Sequence, residues 1–149
     1  MLNVTIIVGL PASGKTTYIE NHLKGAKVFD DFHKDAKNNS PFFEMSINYL
    51  PLIRALLNGG KCVIADVEFC RPGNLDIVVQ KLKEIEVIFN LNIEIDHLFF
   101  ENDAKKCKIN ALERGRAHHP EELAKIEELT KIYRIPEGAK IIRIETKAQ

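Results

Sequence analysis

The sequence predicts an α/β fold, a five-stranded parallel sheet with helices on both faces. Three observations carry that expectation. Apolar, β-branched runs at Leu2–Val8 (LNVTIIV) and Lys61–Ala65 (KCVIA) read as strands buried on both faces. Segments with helical spacing of apolar residues separate the strand candidates, so strand and helix alternate along the chain. Between the first strand and the first helix stands a glycine-rich octapeptide, Gly9 to Thr16 (GLPASGKT).

The elements follow in order. The first strand covers about 2–9. Residues 16 to 24 lack Pro and Gly, and Gly25 stops a helix at about 15–24. A short strand at 27–29 ends in Asp30-Asp31. Ser40 then suits an N-cap with Pro41 at the first helical position. Phe43, Ile47, Leu50, Ile53, Arg54 and Leu57 fall close to helical spacing up to Gly59-Gly60, and Pro51 within that run predicts a kink or a break. The run KCVIA ends at Asp66. Pro72-Gly73 opens a helix to about Ile85, with Leu75, Val78, Val79 and Leu82 on one side. Ile93, Ile95, His97 and Phe99 alternate with more polar neighbours in a further strand, although Leu98 and Phe100 break the alternation. Asp103 caps a helix to about Glu113. A Gly/Arg/His loop, a helix at about 120–134 and a last strand at 140–144 complete the order.

The chain has 149 residues, the size of one domain, taken as 1–149. Lys+Arg and Asp+Glu number 21 each, so no global positive field draws the chain to nucleic acid or membrane. The apolar runs are too short to span a bilayer, and no secretory leader pattern is present. Cys62, Cys70 and Cys107 are odd in number and lack metal-ligand spacing. Reduced thiols and a cytoplasmic location are the expectation, with Cys62 and Cys107 as small core residues. Phe42, Phe43, Leu56 and Leu57 are expected in the core, or in a partner patch if exposed.

The octapeptide is a complete G-x-x-x-x-G-K-[ST] match. Its glycines let the backbone curl so that successive N–H groups point inward at a polyphosphate. Lys15 adds a point charge for the β- and γ-phosphates, and the Thr16 hydroxyl can ligate Mg²⁺. A helix starting here turns its positive dipole end to the same anion. Gly9, Ala12, Ser13, Gly14, Lys15, Thr16 and Thr17 are therefore the expected nucleotide-binding residues, with ATP and Mg²⁺ as the expected ligands.

Right-handed crossovers gather the strands' C-terminal ends at one rim. Transfer from a triphosphate needs a carboxylate for the incoming nucleophile and cations for the moving charge. Asp30 is the candidate base, while Asp31 suits a turn. Asp66 ends an apolar strand, as a Mg²⁺-shell carboxylate does, or else caps the next segment. Glu68 and Arg71 share its loop, and Arg71 can meet substrate. Arg114 and Arg116 flank Gly115, where mobile arginines can close over phosphates. His118-His119 read as loop or helix-cap residues.

These landmarks together resemble the polynucleotide 5′-hydroxyl kinase branch of the small P-loop kinases along almost the whole chain. The matching stretches are GLPASGKTT at the loop, DDF at 30–32, VIAD at 63–66 and NALERGR at 110–116, with a proline-started helix ending at Tyr133. The resemblance implies a P-loop NTPase fold and ATP- and Mg²⁺-dependent transfer of the γ-phosphoryl group to a hydroxyl. Asp30 would be the general base, Lys15 and Thr16 the phosphate and metal anchors, and Arg114 and Arg116 lid groups. Two departures bear on the acceptor. His33 stands where relatives acting on nucleic acid commonly carry an arginine, and Val67-Glu68 replace small polar residues after Asp66. A nucleic-acid or nucleoside 5′-hydroxyl leads as acceptor. Alternatives are a nucleotide or small-metabolite kinase, whose compact pocket His33, Glu68 and Arg71 would shape, and a nucleotide-dependent switch without an acceptor.

Overall fold

Strand β1 (Leu2–Val8) is the centre of the molecule because almost nothing in it can tolerate water. Val4, Ile6, Ile7 and Val8 are at most 1% exposed, and Thr5 is buried with them. A strand buried on both faces is what a parallel sheet covered by helices requires. The computed structural model describes residues 2–30, 49–115 and 119–146. Among them five strands form one parallel sheet in the order β2-β3-β1-β4-β5. The others are β2 (Lys27–Asp30), β3 (Lys61–Ala65), β4 (Ile93–Phe100) and β5 (Ile141–Ile142).

The path reverses direction once. It moves outward from β1 to β2, returns to β3 between them, then crosses to β4 and β5 on the other side of β1. With right-handed crossovers, helix α1 (Lys15–His22) lies on one face and α3 (Asn74–Phe89) on the other. Helices α4 (Ala104–Arg114) and α5 (His119–Thr130) pack as a pair between β4 and β5. Cys107 and Ala111 of α4 and Ile126 and Leu129 of α5 are fully buried there.

Several expectations need adjustment. Helix α2 is described over Leu50–Leu57, with Pro51 in its first turn rather than inside it. There the missing N–H costs no helical bond, and the residues before Tyr49, on which the expected kink or break depends, lie outside the described ones. Ser40, Pro41, Phe42 and Phe43 lie outside the described residues. Leu56 is buried, but Leu57 is 52% exposed, one position round the helix from the face that Leu52, Ile53 and Leu56 bury. Helix α3 runs one turn past Ile85, to Phe89, where Asn90 takes a left-handed conformation and ends it. Helix α5 stops at Thr130 rather than near Arg134, and β5 is two residues long. A single turn of 3₁₀ helix, Val67–Cys70, follows β3 and was not expected. All three cysteines are free and buried. Among the described residues no helix is long and apolar enough to cross a membrane.

Candidate functional site

The phosphate-loop motif stands where the sheet is best built, directly after the fully buried end of β1. Gly14 adopts φ 101°, a left-handed conformation that a side chain resists, and serves as the N-cap of α1. Gly9 has no room for a side chain: an added Cβ would meet Ser13 Oγ at 2.7 Å and Phe100 Cβ at 3.0 Å. Ala12 is also left-handed, at φ 64°. The Lys15 ammonium donates to the carbonyls of Gly9 and Leu10, each at 2.9 Å, and lies 3.5 Å from Ser13 Oγ. It is thus buried with its charge held at the middle of the loop. The first turn of α1 carries no acidic residue, so nothing on the helix competes with an anion for its dipole end. Thr16 and Thr17 are exposed in that same turn.

Two thiols lie beneath Lys15. Burial pushes Cys70 and Cys107 up to about 12, and the nearby ammonium offsets only part of that. Both therefore stay protonated and act as core residues.

Strand register assembles the rest of the rim. Asp30 pairs with Ala65, the last residue of β3, so Asp66 lies one residue beyond the level of Asp30 on the neighbouring strand. Ala65 in turn pairs with Ile7 of β1, two residues before the loop begins. Asp66 is fully buried and caps the 3₁₀ turn, with its Oδ1 accepting from the Glu68 N–H at 2.8 Å. Of the two readings that the sequence offered for Asp66, the cap is the one observed. Asp31, His33, Arg116 and His118 lie outside the described residues.

Arg71 is held rather than free. Its Nε donates to Glu68 at 2.6 Å and its Nη1 to Glu128 of α5 at 2.9 Å. Lys125 of α5 joins the same Glu68 at 2.6 Å. Burial alone would raise Glu68, but the hydrogen bonds and charges of Lys125 and Arg71 outweigh it and hold the carboxyl below its ordinary value. This group of four charges ties the turn after Asp66 to α5. Arg114, the last residue of α4, donates to Glu122 of α5 at 2.8 Å. The Glu122 side chain is 9% exposed.

A cleft of about 920 Å³ opens beside the loop. Ala12, Ser13, Gly14 and Thr17 form its phosphate end, and Tyr18, Asn21 and His22 of α1 continue one wall. Asn110, Glu113 and Arg114 of α4 form another, with Arg143, Glu145 and Thr146 after β5. Asn110 braces the two sides by donating to the Ala12 carbonyl at 3.1 Å and the Glu145 carbonyl at 3.0 Å. Sequence reasoning placed Asn110 only within a motif and missed Tyr18, His22 and the segment after β5. The spacing of Tyr18 and His22, one turn apart just after the loop, was the available signal.

A buried lysine and a left-handed glycine between β1 and α1, in a sheet of order 2-3-1-4-5, decide the architecture. The fold is that of the P-loop NTPases. Solved structures of kinases share it at low identity. A fungal RNA kinase aligns over 99% of this chain and 76% of its own, with TM-score 0.62 and 10% identity. A protein of Chloroflexus aurantiacus J-10-fl provisionally described as a kinase aligns over 95% and 84%, with TM-score 0.55 and 14% identity. A gluconokinase from Sinorhizobium meliloti 1021 aligns over 99% and 83%, with TM-score 0.53 and 12% identity. No protein-family model matches the chain, and neither does any curated protein.

Proposed function

We propose that this P-loop domain is an ATP- and Mg²⁺-dependent kinase that phosphorylates a hydroxyl acceptor, with a nucleic-acid or nucleoside 5′-hydroxyl as the leading acceptor class. The observation that carries the reading is the strand register. It puts Asp30 level with Ala65, one residue short of Asp66, at the C-terminal rim of the sheet where β1 gives way to the phosphate loop. A loop alone binds a triphosphate, whereas aspartates at that rim are the residue type that transfer requires.

In this reading the loop amides from Ala12 to Lys15, the Lys15 ammonium and the α1 dipole hold the phosphates. Asp30 takes the acceptor proton as the acceptor oxygen bonds to the γ-phosphorus. The bond from that phosphorus to the β–γ bridging oxygen breaks, and ADP leaves. Arg114, which lines the cleft and would exchange its Glu122 partner for phosphate, offsets charge on the moving group, and Arg116 is its proposed companion. The Thr16 hydroxyl and the Asp66 carboxylate are hard oxygen donors that suit Mg²⁺. The metal would supply charge neutralisation on the phosphate oxygens. Soluble kinase chemistry of this kind also fits the expected cytoplasmic location.

One observation favours a second acceptor class. Arg71 is already neutralised by Glu68 and Glu128, so it has little capacity left for a polynucleotide phosphate. With zero net charge, this supports a small hydroxyl metabolite as the runner-up.

The test is transfer of label from γ-labelled ATP with Mg²⁺ to oligonucleotides bearing 5′-hydroxyls, to nucleosides and to small polyols. Label on oligonucleotide ends, weakening steeply with added salt, or on nucleosides would uphold the leading acceptor class. Label on the polyols alone would select the runner-up. Nucleotide binding with no transfer to any acceptor would defeat the kinase reading.

A further inference from the structure

We propose that Tyr18 and His22 form the platform on which the base of the donor nucleotide stacks, so that the site takes purine nucleoside triphosphates chiefly by their π face. The proposal deepens the nucleotide reading above and rests on it.

Helix α1 leaves the phosphate loop carrying Tyr18 and His22 one turn apart. Their rings pack on each other with centroids 4.5 Å apart and planes at 34°. Phe100, at the end of β4, meets the Tyr18 ring at 5.9 Å and 82°, an edge contact that limits how the ring can turn. All three rings line the cleft that has Ser13, Gly14 and Thr17 at its phosphate end. Tyr18 is half-buried and His22 exposed, so the pair offers aromatic surface to the cleft without being sealed inside the core.

The same cleft also holds a cation. Arg143, just past β5, lines it, is exposed, and forms no ion pair among the described residues. Arg114 in contrast is held by Glu122. A guanidinium plane stacks on π faces, so Arg143 gives the cleft a second stacking surface besides the Tyr18–His22 pair. Hydrogen-bond readout by Asn110 is limited, because its amide N–H groups already serve two backbone carbonyls. Stacking is tolerant of base identity but stronger for larger rings.

The experiment compares Mg²⁺-ATP with inorganic tripolyphosphate, which shares the phosphate end and lacks a base. Binding is measured by calorimetry and by tyrosine emission. The chain has three tyrosines and no tryptophan, and Tyr49 and Tyr133 are buried. ATP should quench the emission while tripolyphosphate binds without doing so. Tyr18→Leu should weaken ATP by about ten- to a hundredfold and leave tripolyphosphate within twofold. Tyr18→Phe should restore ATP affinity to within a few-fold, and UTP should bind the parent protein more weakly than ATP. If Tyr18→Leu binds ATP like the parent, or loses both ligands by the same factor, the platform is refuted. If the parent binds tripolyphosphate and ATP equally well, the base makes no contact and the proposal fails while the phosphate site stands. If the parent binds neither ligand, the nucleotide reading falls, and the platform with it.

Discussion

Asp30 is the residue on which the kinase reading turns, and its test separates binding from chemistry. Replacing it by Asn keeps size and polarity but removes the proton acceptor. Asp30→Asn should leave ATP affinity within a few-fold and slow label transfer by roughly 10²–10⁴-fold. Transfer at the parent rate would reassign the base. The thiols make a second prediction at this scale. Burial raises Cys70 and Cys107 from the ordinary thiol value of 9.0 to about 12. Below pH 9.0 both folded and unfolded chains keep these protons, so the two thiols add no pH dependence there. Above it the unfolded chain ionises first, and each thiol subtracts about 1.4 kcal/mol per pH unit until about pH 12. Denaturant titrations between pH 8 and 11 should show that decline, and Cys70→Ala should make it shallower. Alkylating reagents should meanwhile react slowly with the native protein.

Among the elements, caps and ion pairs decide how the rim is held. Asp103 caps α4 by accepting from the Lys106 N–H at 3.1 Å. Asp103→Ala should cost about 1 kcal/mol in urea unfolding, a loss expected of an N-cap. A change below the precision of the midpoint would mean that α4 is fixed by its packing on α5 alone. That packing is substantial: Lys108 pairs with Glu127, Arg114 with Glu122, and Cys107, Ala111, Ile126 and Leu129 are all fully buried. The cap was legible because Asp before a helical run is a local signal. The 3₁₀ turn after Asp66 was not, since a single turn leaves no periodicity to read. The effect of Pro51 depends on where the helix starts, and a helix start cannot be located from apolar spacing alone.

The whole molecule couples ligand binding to stability. A ligand that binds only the folded chain stabilises it by mass action, about 2.7 kcal/mol at a hundred times Kd. For a domain of this size that corresponds to a rise in Tm of about 5–10 °C with saturating Mg²⁺-ATP. Lys15→Ala should abolish the rise, because the ammonium at the loop's centre is the main charge for the phosphates. An unchanged shift in that variant would place the nucleotide elsewhere.

The alternation of strand and helix, the loop and the aspartates that end strands could all be read from the chain, because each is a local pattern. Apolar β-branched runs mark buried strands, a glycine-rich octapeptide marks a phosphate cradle, and an aspartate ending a strand reaches the rim in any parallel sheet. Tertiary structure decided what depends on meeting distant residues. It brought Arg71 to Glu128, Asn110 to both Ala12 and Glu145, and Phe100 to Tyr18. The cleft beside the loop is made of segments separated by more than a hundred residues. No window of sequence contains such a cleft, since its walls meet only after the sheet has aligned them.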